Sequence, residues 1–375
     1  MAIVNADVCV IGAGPAGLCA SIEAARAGLD VVLLDSNMDP GGQLQKQIHK
    51  FFGSKEHRAG TRGIDIARIL YKEALDAGVK VWLDSSAYGI FDGNAVEVAR
   101  GVHESHAGKG QAWKDTVSAK KVVLAVGASE NSVQFQGWTL PGVMGAGAAQ
   151  TMINVERVLP GLRVVMVGSG NVGLIVSYQL MQAGAEVVAI VEAAPGVGGY
   201  AVHAAKVLRA GVPILTSHTV NAAKGDGEVS QVEIVQLDSG WRPVAGTERT
   251  LDADTVCVAT GLRPFLKLAS LAGCDLGFAP ALGGWVPTHT REMESSVPGV
   301  YVAGDLAGVE EASTAMEEGR VAGLSIVRSL GAGDPGRLGE EIDEACARLD
   351  ALRMGPFGQA RAKAKERLTI GGAAI

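Results

Sequence analysis

The chain has 375 residues, of which 47 % are hydrophobic and 19 % charged, and its net charge is -7. That length suggests two or three domains, each with its own core, and the negative charge argues against a nucleic-acid partner, which needs concentrated positive charge. No run of about 18 apolar residues exists, so a membrane span is not expected; the N-terminus carries Asp7 and no basic segment, and reads as a strand and a glycine turn rather than a signal peptide.

Residues 6–11, "ADVCVI", form a short apolar run ahead of Gly12-Ala13-Gly14-Pro15-Ala16-Gly17. "LCASIEAARAGLD" then has small and apolar residues at helical spacing, with Gly28 as the helix stop. "VVLLD" at 31–35 is a second buried strand ending in Asp35. This is a βαβ unit with the glycine turn between its first strand and its helix. Residues 101–115 and 237–251 are polar and contain glycine, and read as exposed hairpin excursions. "KVVLAVGAS" at 121–129 is a further strand running into Gly127.

The grammar of the first unit returns at 163–192: strand, glycine turn, helix, glycine stop, strand, acid. Gly12 to Asp35 is 23 residues and Gly168 to Glu192 is 24. One G-x-G-x-x-G is a weak signal, but two complete βαβ units with matching spacing and terminal acids are a strong one. "TVCVATGLRP" at 255–264 repeats the strand that runs into a glycine, here Gly261, and "SSVPGVYVAGDLAG" at 295–308 is a late strand followed by Gly304-Asp305. A helical pattern follows at 309–330. In the tail, Ile342, Ala345, Cys346, Leu349 and Leu352 recur at helical spacing over 339–353, Gly355 to Gly358 breaks the pattern, and 359–368 is short and basic. The predicted division is a first domain at 1–145 and 285–335, a second at 146–284, and a helical tail at 336–375.

The chemistry of the first turn is phosphate binding. Gly12 allows the tight turn, Gly14 lets backbone approach a pyrophosphate, and Gly17 lets the helix pack close to the strand. Ala13, Pro15 and Ala16 complete the turn, and the helix start supplies N–H donors and partial positive charge. Asp35 can accept both hydroxyls of an adenosine ribose and disfavours a 2′-phosphate, so the ligand is FAD or NAD. Asp305 decides between them: a carboxylate at the end of a late strand can hydrogen-bond a ribityl chain, which NAD lacks. A helix starting near Glu310–Ala312 can aim its positive end at the flavin N1–C2=O edge.

On Gly12–Gly17 with Asp35, Pro40-Gly41-Gly42-Gln43, Ala125–Gly127, Gly168–Gly173, Ala259–Gly261 and Val302–Asp305, the chain resembles the two-dinucleotide-binding-domain flavoproteins, in the branch similar to thioredoxin reductase. The resemblance covers about 330 residues in the family's order. It implies an α/β fold of two Rossmann-like domains, the FAD domain discontinuous and the NAD domain inserted, plus the C-terminal helical tail. It also implies that Gly42 and Gln43 lie beside the flavin, and that Gly127 and Gly261 belong to the FAD and NAD sites.

Related disulfide reductases place a redox cysteine pair soon after the Gly-Gly-Gln turn or within the nicotinamide domain. The five cysteines here, Cys9, Cys19, Cys257, Cys274 and Cys346, include none at 43–60 or 140–256 and form no C-x-x-C pair. Dithiol exchange needs a thiolate and a resolving partner, so a thioredoxin or lipoamide reductase is not expected. The bland reading of these residues is buried small hydrophobes in a reducing cytoplasm.

The second turn has two readings. In the first, Gly168, Gly170, Asn171, Val172 and Gly173 bind the pyrophosphate of NAD(H) and Glu192 its ribose; "EAAPGVGG" lacks the arginines that hold a 2′-phosphate. In the second, the turn holds another adenine nucleotide, or nothing. A narrower resemblance, carried by "GVEEASTAMEEGRVAG" and "GWTLPGVMGAGAAQ", is to FAD subunits of amine and imino-acid dehydrogenases. That resemblance implies a complex with a second flavoprotein and an iron–sulfur element, which would lie on another chain because the tail has no cysteine cluster.

The expectation is therefore a cytoplasmic FAD-dependent oxidoreductase that moves hydride between NAD(H) and FAD, exchanges electrons with a partner protein or carrier, and works as an oligomer. Two alternatives stand beside it: the FAD subunit of an amine or imino-acid dehydrogenase complex, and a non-catalytic assembly subunit stabilised by nucleotide. His49, with Lys46 and Lys50 nearby and Phe51 and Phe52 following, is a weak catalytic candidate against a loop that packs over the FAD. No metal-ligand spacing appears. His203, His218 and His289 are isolated and read as structural. The tail helix either packs on its own FAD domain or docks a partner, and deleting 336–375 is expected to leave FAD bound.

Overall fold

The computed structural model describes residues 2–355 and 358–371. The chain divides into two compact units, Met1–Ser129 with Arg263–Ile375, and Glu130–Leu262.

The first unit opens with β1 (Ile3–Ile11), α1 (Pro15–Arg26) and β2 (Val31–Leu34), followed by α2 (Gly63–Asp76), β3 (Lys80–Trp82), β4 (Ser85–Phe91), β5 (Ala95–Arg100) and β6 (Trp113–Leu124). The sheet order is β3-β2-β1-β6-β5-β4. β1 runs parallel to β2 and β6, in register from Ile3 opposite Thr116 to Ile11 opposite Leu124. Val8 to Ile11 and Val31 to Leu34 are all buried, which is why both strands read as unbroken apolar runs: a parallel sheet is covered on both faces. The excursion at 101–115 joins antiparallel β5 and β6, and contains a helical turn at Val102–His106.

The second unit holds β7 (Val143–Gly145), α3 (Ala146–Thr151), β8 (Arg163–Val167), α4 (Asn171–Gln182), β9 (Glu186–Glu192), α5 (Ala201–Arg209) and β10 (Ile214–Thr216). After these come β11 (His218–Lys224), β12 (Gln231–Gln236), β13 (Arg249–Asp252) and β14 (Thr255–Val258). Its parallel sheet is ordered β10-β9-β8-β14-β7, and β11, β12 and β13 form a separate antiparallel sheet. The excursion at 237–251 is the β12–β13 connection. The units divide earlier in the chain than the spacing of the motifs suggests. Val143–Gly145 pairs with β14 and so belongs to the second sheet. After residue 262 the chain is back in the first unit.

That return brings the hairpin β15 (Leu276–Ala279) and β16 (Gly284–Pro287), then β17 (Val300–Val302), α6 (Ala312–Ser329), α7 (Pro335–Leu352) and α8 (Gln359–Leu368). β17 pairs with the last three residues of β6, so β6 exchanges an antiparallel neighbour for a parallel one halfway along. The tail helix begins at Pro335, earlier than its apolar pattern indicates, because Asp334 caps it: its carboxylate accepts the Arg337 N–H at 2.8 Å, and Pro335 fills the first helical position. Leu338, Ile342, Ala345, Cys346 and Leu349 are buried, the first four of them in the core of the first unit. Pro356 and Phe357, part of the expected break, lie outside the described residues.

α1 and α6 touch backbone to backbone. A Cβ on Gly319 would sit 2.1 Å from the Ala16 carbonyl oxygen, and one on Gly323 would sit 2.7 Å from that of Ala20. Backbone cannot yield as a flexible side chain can, so a larger residue must separate the helices. Gly319→Val is expected to destabilise the fold by about 3 kcal/mol in denaturant unfolding. Gly339→Ala, in α7 where a Cβ meets nothing within 4 Å, is expected to stabilise by about 0.5–1 kcal/mol in the same measurement.

Candidate functional site

The two glycine turns have one construction. Gly12 and Gly168 have φ of 107° and 104°, where glycine is favoured, and a Cβ on either would lie 2.3 Å from the Ala125 oxygen or 2.4 Å from the Ala259 oxygen. Gly17 and Gly173 press on the carbonyls of Gly12 and Gly168, where a Cβ would approach to 1.8 and 2.1 Å. Packing therefore accounts for four of the glycines. It does not account for Gly14 and Gly170, whose missing side chains face open space with nothing within 4 Å. Both have extended backbone, which any residue adopts. Open space over a helix start with unpaired N–H groups fits a pyrophosphate.

The terminal acids brace these turns. The Asp35 carboxylate accepts the Ala13 N–H at 2.7 Å, and its other oxygen takes both the backbone N–H and side-chain amide of Asn37 at 2.8 Å. Glu192 accepts the Ser169 N–H at 2.8 Å, the Ser169 hydroxyl at 2.7 Å and the Ala194 N–H at 2.8 Å. A carboxylate has about four acceptor positions, so each acid has room for a ribose hydroxyl.

A third correspondence went unread in the sequence. Gly41 and Gly42 follow Asp35 by six and seven residues, as Gly198 and Gly199 follow Glu192. Each pair returns to its turn: the Gly41 N–H donates to the Ala13 carbonyl at 2.7 Å and the Gly199 N–H to that of Ser169 at 2.9 Å. A Cβ on Gly42 would lie 3.0 Å from Gly14 Cα. Tyr200 follows in the second unit, its N–H donating to the Asn171 side-chain oxygen at 2.8 Å.

The first unit gathers its candidates from distant parts of the chain. Gly304, at φ 71°, packs against Ala16, so that a Cβ there would be 2.9 Å from the Ala16 Cβ. Its N–H donates to Glu318 at 2.9 Å. Gly127, at φ 73°, lies two residues beyond the carbonyl that touches Gly12, Gln43 is exposed, and Pro15 and Ala312 open α1 and α6. In the second unit, Asn171 and the half-exposed Val172 open α4, while Gly261, at φ 101°, faces Asn131.

Asp305, in the first unit, is partly buried. Burial pushes its carboxyl up to about 6, the Glu310 N–H pulls it down, and Glu318, Glu310 and Glu311 add repulsion. His49 stacks on Phe51, with ring centroids 6.0 Å apart. The histidine that reaches α6 is His57, absent from the sequence reading: its Nε2 lies 2.9 Å from Glu317 Oε1 and its Nδ1 2.9 Å from Ser54 Oγ. The signal available for it was the acidic pair Glu317-Glu318 inside a helix otherwise patterned for burial, since buried acids require partners.

The family model described as pyridine nucleotide-disulphide oxidoreductase matches residues 6–319. The chain belongs to that family. Its curated relatives include a component of opine oxidase from Agrobacterium tumefaciens (strain Ach5), 29 % identical over 86 % of this chain and 66 % of the relative. The HcnB component of hydrogen cyanide synthase from Pseudomonas aeruginosa is 31 % identical over 92 % of this chain and 75 % of its own length. The alpha component of sarcosine oxidase from Rhizobium meliloti (strain 1021) is 32 % identical over 87 % of this chain but 31 % of its own. The chain thus spans just under two thirds of the opine oxidase relative and a smaller share of the sarcosine oxidase one. Among solved structures, L-proline dehydrogenase from P. horikoshii shares the fold at TM-score 0.67 and 24 % identity, over 92 % of this chain and 59 % of that one. Thioredoxin reductase from T. acidophilum does so at TM-score 0.69 and 21 % identity, over 87 % and 99 %.

The chain thereby belongs to a family of FAD- and NAD(P)-dependent oxidoreductases. Membership does not bring the disulfide of the family's name. All five cysteines are free and buried, and burial raises the thiol pKa of each, Cys19 and Cys257 to about 12. Among the described residues no helix is long and apolar enough to cross a membrane, and no group of three or more His, Cys, Asp or Glu is placed to hold a metal.

The open space at Gly14 and Gly170 separates ligand binding from folding. Gly14→Val is expected to leave the melting temperature of the FAD-free protein within about 2 °C while abolishing FAD binding, read by flavin fluorescence; Gly170→Val should do the same for pyridine nucleotide. Gly12→Val, by contrast, should lower the melting temperature. Asp305 gives a pH signature. Its raised pKa means the folded FAD-free protein holds this proton more tightly than the unfolded chain, so the stabilisation is complete below about 4 and is lost as pH rises through about 6. Melts of the FAD-free protein between pH 4 and 7 should show wild type losing stability relative to Asp305→Asn as pH rises; parallel curves would contradict this.

Proposed function

We propose that the chain is the FAD-binding subunit of a complex that oxidises a carbon–nitrogen bond in an amine or imino acid. The observation that carries this reading is the set of relatives that match most of the chain and are named as subunits of opine oxidase and sarcosine oxidase. Opines and sarcosine are both secondary amines that carry a carboxylate. The buried, unpaired cysteines support the same direction, because they leave the family's dithiol chemistry without a thiolate.

In this reading FAD supplies a two-electron acceptor when bound. Gly12, Ala13, Gly14, Pro15, Ala16 and Gly17 admit its pyrophosphate to the start of α1, and Asp35 accepts from the adenosine ribose. Asp305 would accept from the ribityl chain. Gly42, Gln43 and Gly127 would hold the ring system, and the N-terminus of α6 at Ala312 would favour negative charge on it. The discontinuous unit is the FAD domain and the inserted unit the nicotinamide domain. A partner protein contributes the amine site or takes the electrons.

A second reading rests on how closely the second turn repeats the first. In it, Gly168, Gly170, Asn171, Val172, Gly173 and Gly261 hold NAD(H), Glu192 takes its ribose, and reduction of the flavin starts from NADH. His49 is a candidate for substrate contact in either case, tested by turnover of His49→Ala.

Anaerobic visible spectra of the FAD-loaded chain, alone and with co-purified partner, distinguish the two. Bleaching by sarcosine, proline or an opine when the partner is present supports the amine-oxidising role. Bleaching by about one equivalent of NADH in the isolated chain favours the second reading. Tight FAD that neither reductant bleaches, with partner present, would sink both and leave an assembly role.

A further inference from the structure

The C-terminal helices carry a buried cluster of charge that the flavin site, as read above, does not use. Glu318 connects the two. One oxygen of its carboxylate accepts the Gly304 N–H at 2.9 Å; the other accepts from Arg353 Nη2 at 2.6 Å and Lys365 Nζ at 2.5 Å. Glu310 accepts from Arg353 Nε at 2.9 Å and Nη2 at 2.7 Å, with Lys365 Nζ at 3.8 Å. The Glu310 N–H in turn faces Asp305 Oδ1 at 3.4 Å. All four side chains are between 2 % and 10 % exposed. Arg353 closes α7 and Lys365 lies on α8, so both cations come from the tail and both carboxylates from the flavin side.

Apolar contact is already in place to hold the tail down. α7 buries Leu338, Ile342, Ala345, Cys346 and Leu349, and α8 sets Ala364 and Leu368 against Ala279, Leu282 and Val286. A buried ion cluster adds little net stability over an apolar one, but removing one member leaves a charge stranded. What this cluster supplies that methyl groups cannot is a fixed direction for a carboxylate. It also balances two acids that would otherwise repel Asp305, which burial already handicaps as an anion. The guanidinium of Arg353 is opposed by burial, yet Glu318 and Glu310 hold its pKa above the ordinary arginine value. His289, which also faces these cations, adds no charge: burial and Lys365 depress it to about 3.

We propose that Arg353 and Lys365 are positioning residues for the flavin: by fixing Glu318 and Glu310 they hold the Gly304–Asp305 turn in its FAD-binding form. The proposal rests on the reading of Gly304–Asp305 as part of the FAD site. It reverses the sequence-based expectation for the tail, because removing 336–375 removes both cations and should cost FAD as well as any docking surface.

The test is FAD affinity by flavin fluorescence on the full chain, with the melting temperature of each FAD-free variant recorded alongside. Arg353→Met and Lys365→Met are expected to weaken FAD about tenfold or more. Arg353→Lys should restore most of that loss, and adding Glu318→Gln to Lys365→Met should recover part of it, since the stranded charge is then gone. Ile342→Ala, which loosens tail packing without touching the cluster, should lower the melting temperature and leave FAD affinity within about threefold. The proposal is overturned if both methionine variants bind FAD as tightly as wild type, or if Ile342→Ala weakens FAD as much as they do. Should Arg353→Met not fold, Lys365→Met alone decides, because Arg353 still neutralises part of the cluster. Failure of the unaltered chain to bind FAD would be a different result, overturning the site and the proposal together.

Discussion

The contact between α1 and α6 is the constraint on which the first unit depends. Gly319 and Gly323 let α6 lie on the backbone of α1 at Ala16 and Ala20, with no side chain between them. Two consequences follow from that closeness. Gly319, the eighth residue of α6, meets Ala16 at the start of α1, so the first two turns of α6 extend about 10 Å past the glycine turn. The turn ahead of α6 is also pressed into place, Gly304 against Ala16. Residues almost three hundred positions apart in sequence thereby become neighbours, and the site is assembled without a dedicated loop.

The second unit shows which parts of this plan are general. Turn, acid and returning glycine pair recur there, with the same N–H of the turn held by the acid and the same carbonyl of the turn capped by the glycine pair. What differs is what stands beyond the turn. The first unit has exposed Gln43 after its glycine pair, whereas the second has Tyr200 tied to the Asn171 side chain. The second acid also has a serine hydroxyl among its partners, which the alanine at the corresponding place in the first turn cannot provide. A shared backbone scaffold with different side chains around it lets one fold take different ligands.

Much of this was legible in the sequence, for identifiable reasons. The βαβ units were readable because a buried parallel strand is an unbroken apolar run and the glycine turn is fixed by sterics at Gly12 and Gly17. The return of the chain to the first sheet was implied by the family resemblance, of which the Val302–Asp305 phrase is one part. The unit boundaries were less so, because β7 is three residues long and gains its identity only by pairing with β14. The charge cluster was out of reach. Arg353 and Lys365 stand in stretches that look like ordinary solvated helix, and nothing local reveals that their partners are Glu310 and Glu318. Long-range burial of charge leaves its trace only in the acids, as an acidic pair inside an apolar helix.

The cysteines give the molecule a means of reporting its own opening. Each thiol is enclosed, with four in the first unit and Cys257 in the second. A thiol reagent can reach them only when the surrounding structure opens, so labelling rates measure opening rather than thiol chemistry. Cys257, in the central part of the second sheet, times that unit alone. Cys346 times the lifting of α7, while Cys9, on the buried half of β1, waits for the first sheet to come apart. A mass spectrum taken at intervals would therefore rank the exposure of tail, inserted unit and central sheet on one clock, without any added label site.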